Sequence, residues 1–351
     1  MELQSAISQT LYAQLLEEAM IYNAIIFEQG VTGSPYLNRA NDRAYWYWQV
    51  SEPGGKLRRM SLGRDTPETQ ALVAQLVARK KEATDAIDTL RSTTRAFVAS
   101  GGMATETAHF KVMEHLARAG LFRKGLVLVG SHAFTALGNM LGLRWGNSLK
   151  TSDMDFARAH GVALALPASD ERLDLPSIVK AHDPSFFAVP QLDNRQPSTA
   201  MLSRKTRVKI DFLTTLKAGD GEPPRYFEDI GIAATPLRYM DYLLGGDNRR
   251  GLVIGTYAFP INLPDPARFA IHKLVIAQER RLDVETKVIK DIRQANEMIE
   301  GLRENGHEHD IRQALLDLQT GGFRKAFANL RLSAQRMGDI GHWLTEQLPN
   351  D

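Results

Sequence analysis

Apolar and polar positions divide the chain into three stretches of different character. In the first, Leu11, Leu15, Ala19, Tyr22 and Ile26 recur at helical spacing and predict a helix over 11–29. Residues 30–41 are rich in Gly, Ser, Pro and Asn and read as a loop. A strand follows over 45–50, where four aromatics stand in a row. Pro53, Gly54 and Gly55 then make a turn, and 56–62 is the returning strand. Pro67 opens a long helical stretch to residue 95, with Leu72, Leu76, Ala83, Ile87 and Leu90 apolar, before a break at Ser100, Gly101 and Gly102. A further helix over 107–119 is stopped by Gly120.

The middle third changes pattern. Leu126, Val127, Leu128 and Val129 form a continuous apolar run, the signature of a short buried strand. Gly130 and Ser131 then lead into a helix reaching residue 141. Residues 154–156 and 162–166 read as strands, and 207–213 alternates strictly. There Val208, Ile210 and Phe212 face one way, and Arg207, Lys209, Asp211 and Leu213 the other. From Pro266 onward the pattern is helical. Ala270, Leu274 and Ala277 form one apolar stripe, and Val288, Ile292, Ala295, Ile299 and Leu302 another. Helical pattern continues over 311–318 and 323–337, parted by Gly321 and Gly322.

Composition narrows the chemistry. The 351 residues carry 43 Lys and Arg against 41 Asp and Glu, so a charge argument must be local. The absence of cysteine excludes a disulfide framework, thiolate zinc sites, iron–sulfur clusters and a Cys nucleophile. No G-x-S-x-G elbow, P-loop or H-E-x-x-H motif is present. The longest uncharged run, 125–143, contains Ser131, His132, Thr135, Asn139 and four glycines, too polar for a membrane helix. Residues 1–10 lack the basic and apolar regions of a signal peptide. The expectation is a cytoplasmic protein with no membrane partner.

Asp153 and Asp155 stand two apart in a predicted strand, so both project from one face while Met154 and Phe156 turn inward. Asp211 occupies the equivalent face of its own strand. If the two strands are neighbours, three carboxylates converge. Like charges about 4 Å apart repel by roughly 4 kcal/mol at an effective dielectric of 20. Such a cluster must protonate or bind cations, and oxygen-only ligands favour Mg²⁺ or Mn²⁺. Gly130 and Ser131, after a buried strand, would let backbone N–H groups approach a phosphate.

The segments Leu128-Val129-Gly130-Ser131, Thr151-Ser152-Asp153-Met154-Asp155-Phe156 and Val208-Lys209-Ile210-Asp211-Phe212 resemble the motifs of the DNA polymerase β-like nucleotidyltransferase superfamily. The Thr-x-Asp-x-Asp context is similar to a bacterial nucleotidyltransferase-fold family akin to AbiEii-type toxins. The resemblance implies an α+β fold with a mixed-sheet nucleotidyltransferase core over 111–258. An N-terminal helical and β-hairpin region would cover 1–110 and a C-terminal helical domain 259–351. It implies metal-dependent transfer of a nucleoside monophosphate from an NTP to an acceptor hydroxyl. Asp153, Asp155 and Asp211 would be the catalytic, metal-holding carboxylates, and Gly130 and Ser131 would hold the triphosphate. Residues 132–152 make a longer spacer than the family commonly shows, and 142–150 reads as an inserted loop.

Other residues are candidates for the nucleotide. Lys273 has Phe269, Ala270, Ile276 and Ala277 as its helical neighbours, and a lysine on an apolar face needs an anion, a snorkelling route or an internal ion pair. The toxin-like families carry a similar Lys-Leu helix and a later Lys-Asp pair, here Lys290 and Asp291. Lys209 shares a face with Asp211, and His132 follows Ser131. In the 45–62 hairpin, Trp46, Trp48, Lys56, Arg58 and Arg59 mix aromatics with cations. That suits nucleic-acid contact, or a hairpin whose tryptophans pack on a helix while its basic side meets water. The acceptor is first an RNA, a tRNA 3′ end for a toxin with a cognate antitoxin. A protein hydroxyl (AMPylation) and a small molecule such as an aminoglycoside follow. A catalytically silent nucleotide- or nucleic-acid-binding module is the alternative from another class.

Overall fold

A computed structural model describes residues 1–29, 33–40, 43–51, 57–146, 153–159, 172–216, 223–280, 285–321 and 323–348. After the short β1 (Glu2–Leu3), helix α1 (Ala6–Gln29) buries Tyr12, Leu15, Ala19 and Tyr22 along one stripe. Strands β2 (Ser34–Ala40), β3 (Arg43–Ser51) and β4 (Leu57–Arg64) form an antiparallel meander in that order. The expectation of a loop over 30–41 is thereby corrected for 34–40. Tyr36 pairs with Tyr47 and Leu37 with Trp46, and such cross-strand pairs outweigh a turn-like composition. Pro35 is tolerated because β2 is an edge strand. The turn expected at Pro53, Gly54 and Gly55 lies outside the described residues.

Helix α2 (Pro67–Ala99) starts where Thr66 accepts a hydrogen bond from the Thr69 amide at 3.3 Å, with Pro67 in the first turn. At 33 residues it is about 50 Å long. It packs along α1, and five of its six buried residues (Ile87, Leu90, Thr93, Thr94, Phe97) lie in its second half. The helical pair is thus anchored at one end and carries the meander at the other.

Helix α3 (Thr107–Arg118) ends before Gly120, whose φ of 82° turns the chain into a 3-10 turn over Leu121–Lys124. Then come β5 (Val127–Val129), α4 (Gly130–Met140), β6 (Leu143–Arg144), β7 (Asp153–Arg158), α5 (Leu175–His182), β8 (Phe186–Ala188), β9 (Ala200–Ser203), β10 (Lys209–Thr215), β11 (Arg225–Phe227) and β12 (Ile232–Leu237). The main sheet runs β11-β12-β10-β7-β5, with β8 joined through β9 to β10. It is mixed: β10 lies parallel to β7 and β12, and β5 antiparallel to β7. The strand expected over 162–166 lies outside the described residues.

Helix α6 (Met240–Leu244) leads to a hairpin of β13 (Arg249–Ile254) and β14 (Ala258–Leu263), in which every residue of β14 is buried. Its continuous apolar run has neither alternation nor helical period, and the pairing itself reveals it. The boundary expected at 258–259 falls inside β14. Asn262, fully buried, donates to the carbonyls of Phe122 and Leu126 at 2.7 and 2.9 Å, tying the hairpin to the foot of β5. Helix α7 (Pro266–Ala277) is capped by Asp265, which accepts from the amides of Ala267 and Arg268. Helices α8 (Glu285–Glu304), α9 (Glu308–Thr320), α10 (Arg324–Ala334) and α11 (Asp339–Glu346) complete the chain. Among the described residues, no helix is long and apolar enough to cross a membrane.

Most of the buried apolar residues form one connected core from Tyr12 to Leu348. One joint of it bears on the site. Phe134 of α4 stacks on Trp145 at 4.3 Å between ring centroids and lies nearly parallel to Phe269 of α7 at 6.4 Å. The Trp145 indole N–H donates to the Phe134 carbonyl at 2.6 Å. Removing the ring in Phe134→Ala should cost about 3–5 kcal/mol of unfolding free energy in a urea titration. A loss under 1 kcal/mol would show that α4 and α7 are held together by something else.

Candidate active site

The parallel register of β7 and β10 sets Asp155 directly beside Asp211, and Asp153 beside Lys209. Met154, Phe156, Ile210 and Phe212 are buried on the opposite face, as the alternation requires. Three carboxylates therefore share one face, two of them adjacent and the third one step back along the strand. Burial pushes the Asp155 carboxyl up to about 6. Asp211 and Asp153 add to the push, and Lys273 and Lys209 oppose it. The Lys209 ammonium lies 2.8 Å from Asp211 Oδ1.

The antiparallel pairing of β5 with β7 puts Val129 opposite Asp155, so the turn into α4 begins at the carboxylate. Gly130 there has φ +67°, and a Cβ on it would collide with Asp155 Oδ2. The position needs glycine twice, for the left-handed backbone and for the close approach.

Gly130, Asp155 and Asp211 form one end of a cavity of about 560 Å³. Its far walls include Leu216, Leu237, Tyr239 and Met240, and α7 contributes Phe269, Lys273 and Ile276. The size suits a nucleotide-sized ligand. On one side Lys273 donates to Asp291 Oδ1 at 2.6 Å, and Arg280 reaches Asp291 Oδ2 at 2.6 Å. Burial alone would raise the Asp291 carboxyl, but Lys273 and Arg280 hold it below the usual range. Both cations line the cavity while Asp291, 3% exposed, sits behind them. The cavity thus brings together the two adjacent carboxylates, the two cations held by Asp291, and a largely apolar remainder that also contains Arg238, His272 and Glu279.

Several candidates lie outside this lining. Ser131 is buried, and its hydroxyl accepts from Gln294 of α8 at 3.3 Å. The His132 ring meets His109 edge-on at 4.8 Å, and burial pushes its pKa down to about 3, leaving a neutral imidazole at pH 7. Lys290 is half-buried on α8. Its pKa is lowered by burial and by Lys273, against the pull of Asp291, Asp155 and Asp153. In the meander, Trp48 is 3% exposed, so its ring is not presented for stacking, and the Trp46 indole donates to Asp65 at 2.8 Å. Arg58 and Arg59 are exposed, and Lys56 lies outside the described residues. Sequence reading missed Arg280 and Tyr239. The first gave no signal apart from its charge. The second has φ 62°, a strained setting for a bulky residue that only the backbone reveals.

Among the described residues, no group of three His, Asp or Glu side chains is arranged to hold a metal ion, and Lys209 occupies one side of Asp211. The donor set nevertheless fits a hard cation. Two neighbouring carboxylates, one raised first by burial and then by the other, offer oxygen donors side by side.

A scan of protein-family models matches residues 107–319 to one described as Nucleotidyltransferase. Searches of curated proteins and of solved structures return no significant match.

Two substitutions test this geometry. Gly130→Ala should cost about 1–2 kcal/mol for the left-handed backbone alone, before the collision with Asp155 is counted. A variant as stable as the parent in denaturant would show that the turn tolerates a Cβ. Asp291→Asn leaves two cations without their counter-charge and should lower stability by about 3–5 kcal/mol near pH 7. Because the folded carboxyl titrates below its unfolded value, the native advantage is complete above about pH 4 and fades as the pH falls further. Thermal unfolding from pH 7 to pH 2 should show parent and variant converging in acid. A constant gap would refute the ion pairing.

Proposed function

The chain belongs to the nucleotidyltransferase family, an enzyme of nucleotidyl transfer with an NTP substrate, and from that premise we propose metal-dependent transfer of a nucleoside monophosphate to the 3′ hydroxyl of an RNA. The observation that carries the site assignment is the pairing of Asp155 with Asp211 beside the Gly130 turn, at the acidic end of a nucleotide-sized cavity. In this reading the acceptor oxygen forms a bond to the α-phosphorus and the bond to the β-phosphate oxygen breaks, releasing pyrophosphate. Asp211 orients the attacking hydroxyl and draws its proton. Lys273 and Arg280 face the polyphosphate charge from the cavity wall, kept in place by Asp291. Lys209, leaving Asp211 as the nucleotide enters, has a phosphate oxygen as its next partner. Tyr239, Leu237 and Met240 enclose the less polar part of the nucleotide.

Asp153, Asp155 and Asp211 would hold Mg²⁺ or Mn²⁺, since oxygen donors without thiolates suit a hard ion. When bound, such an ion neutralises phosphate charge and lowers the pKa of the attacking hydroxyl. The likeness of the Thr-x-Asp-x-Asp context to AbiEii-type toxins supports a tRNA as the RNA, a toxin role and a cognate antitoxin as partner.

The test uses each of the four NTPs labelled at the α-phosphate, with Mg²⁺ and either total tRNA or cell lysate. Label should move to RNA, and Asp155→Asn or Asp211→Asn should reduce the rate by about two to three orders of magnitude. Label moving to protein would replace the acceptor by a protein hydroxyl. Undiminished transfer by both variants would sink the site assignment.

A further inference from the structure

The meander of β2, β3 and β4 has two unlike faces. One carries Trp46 and Trp48 and is turned toward the start of α2. There Asp65 accepts hydrogen bonds from the Trp46 indole and from Gln70, both at 2.8 Å. The opposite face presents Tyr36, Tyr45 and Tyr47 with Arg43, Arg59 and Arg64, placed together by the pairings of Tyr36 with Tyr47, Tyr47 with Ser61, and Tyr45 with Arg64. All three arginines are exposed. The Arg59 guanidinium lies 4.2 Å from the centroid of the Tyr36 ring, and the Tyr36 and Tyr47 rings are 6.4 Å apart. The described residues of these strands include five arginines and no acid.

We propose that this tyrosine–arginine face is a docking surface for single-stranded RNA, which it presents to the enzyme as acceptor. Exposed guanidiniums with no acid among them match a polyanion, and in single strands each phosphate contact is independent of sequence. Tyrosine rings add stacking, which unpaired bases can use and paired bases cannot. Between the rings the face offers Asn38, Gln49 and Ser61, hydrogen-bonding groups rather than the aliphatic centre of a protein interface. The long α1–α2 pair sets the surface apart from the nucleotide cavity, so binding and transfer are separable. The inference deepens the RNA-acceptor reading without depending on the transfer chemistry.

The experiment measures anisotropy of a labelled mixed-sequence single-stranded RNA, and of the same sequence as a duplex, with the full chain at two salt concentrations. The single strand should bind more tightly. Tyr36→Leu with Tyr47→Leu should weaken it by about tenfold or more, whereas Tyr36→Phe with Tyr47→Phe, which keep the rings, should not. Arg59→Ala should lower the magnitude of the log–log salt slope by about 0.7. Circular dichroism melting confirms that each variant is folded. No single-strand binding by the parent, equal binding by folded leucine variants, or tighter binding of the duplex each overturns the proposal. Asp155→Asn separates the two readings. If RNA binds through the tyrosines in both proteins while neither transfers label, the docking surface stands and the transfer reading fails.

Discussion

The registered contact of Asp155 with Asp211 on adjacent parallel strands constrains everything around it. Burial pushes Asp155 toward neutrality, and the repulsion of Asp211 beside it adds to the push. The surrounding structure answers that charge in three ways. Lys209, on the same face of the same strand as Asp211, bonds to it directly. The turn into α4 gives up its side chain so that the Asp155 carboxylate can lie against Gly130. Lys273, from the next helical layer, adds positive charge across the cavity. The arrangement concentrates carboxylates and the ammonium groups that answer them around one cavity.

A second balance operates behind the cavity wall. Lys273 and Arg280 would oppose each other and pay a desolvation cost if Asp291 did not sit between them. Asp291 is therefore a residue that acts through its neighbours. It lends α7 and α8 a fixed relation and keeps two cations facing the cavity. The stacked rings of Phe134 and Trp145, with Phe269 nearby, set α4 and α7 in register by packing alone. Polar and apolar devices thus converge on the same three helices, and through them on the Gly130 turn.

The N-terminal stretch is built on a different principle. Its helices bury residues at one end and leave the meander to pack mainly within itself and on the start of α2. Trp48 is buried there without joining the main core, and Trp46 spends its polar edge on Asp65. The buried Trp48 and the hydrogen-bonded Trp46 serve the construction of the arm, while Tyr45 and Tyr47, half-buried, lie on the other face of the same strand.

Alternation by itself determined that Asp153 and Asp155 share a face and that Asp211 belongs to a strand of the same kind, because side-chain direction in a strand has period two whatever lies next to it. Helical period likewise determined the stripes of α1 and α8, and Gly120 marked the end of α3. The family resemblance was read over roughly residues 125–294, and that stretch lies inside residues 107–319, the segment that matches the nucleotidyltransferase family. What the sequence could not express was adjacency. That β7 and β10 are neighbours, that Asp291 stands behind Lys273 and Arg280, and that Tyr239 reaches the cavity are all facts about residues apart in the chain. Local propensity carries no term for such pairs. Only tertiary structure decided which carboxylates meet, which lysine is paired, and which face of the arm remains open.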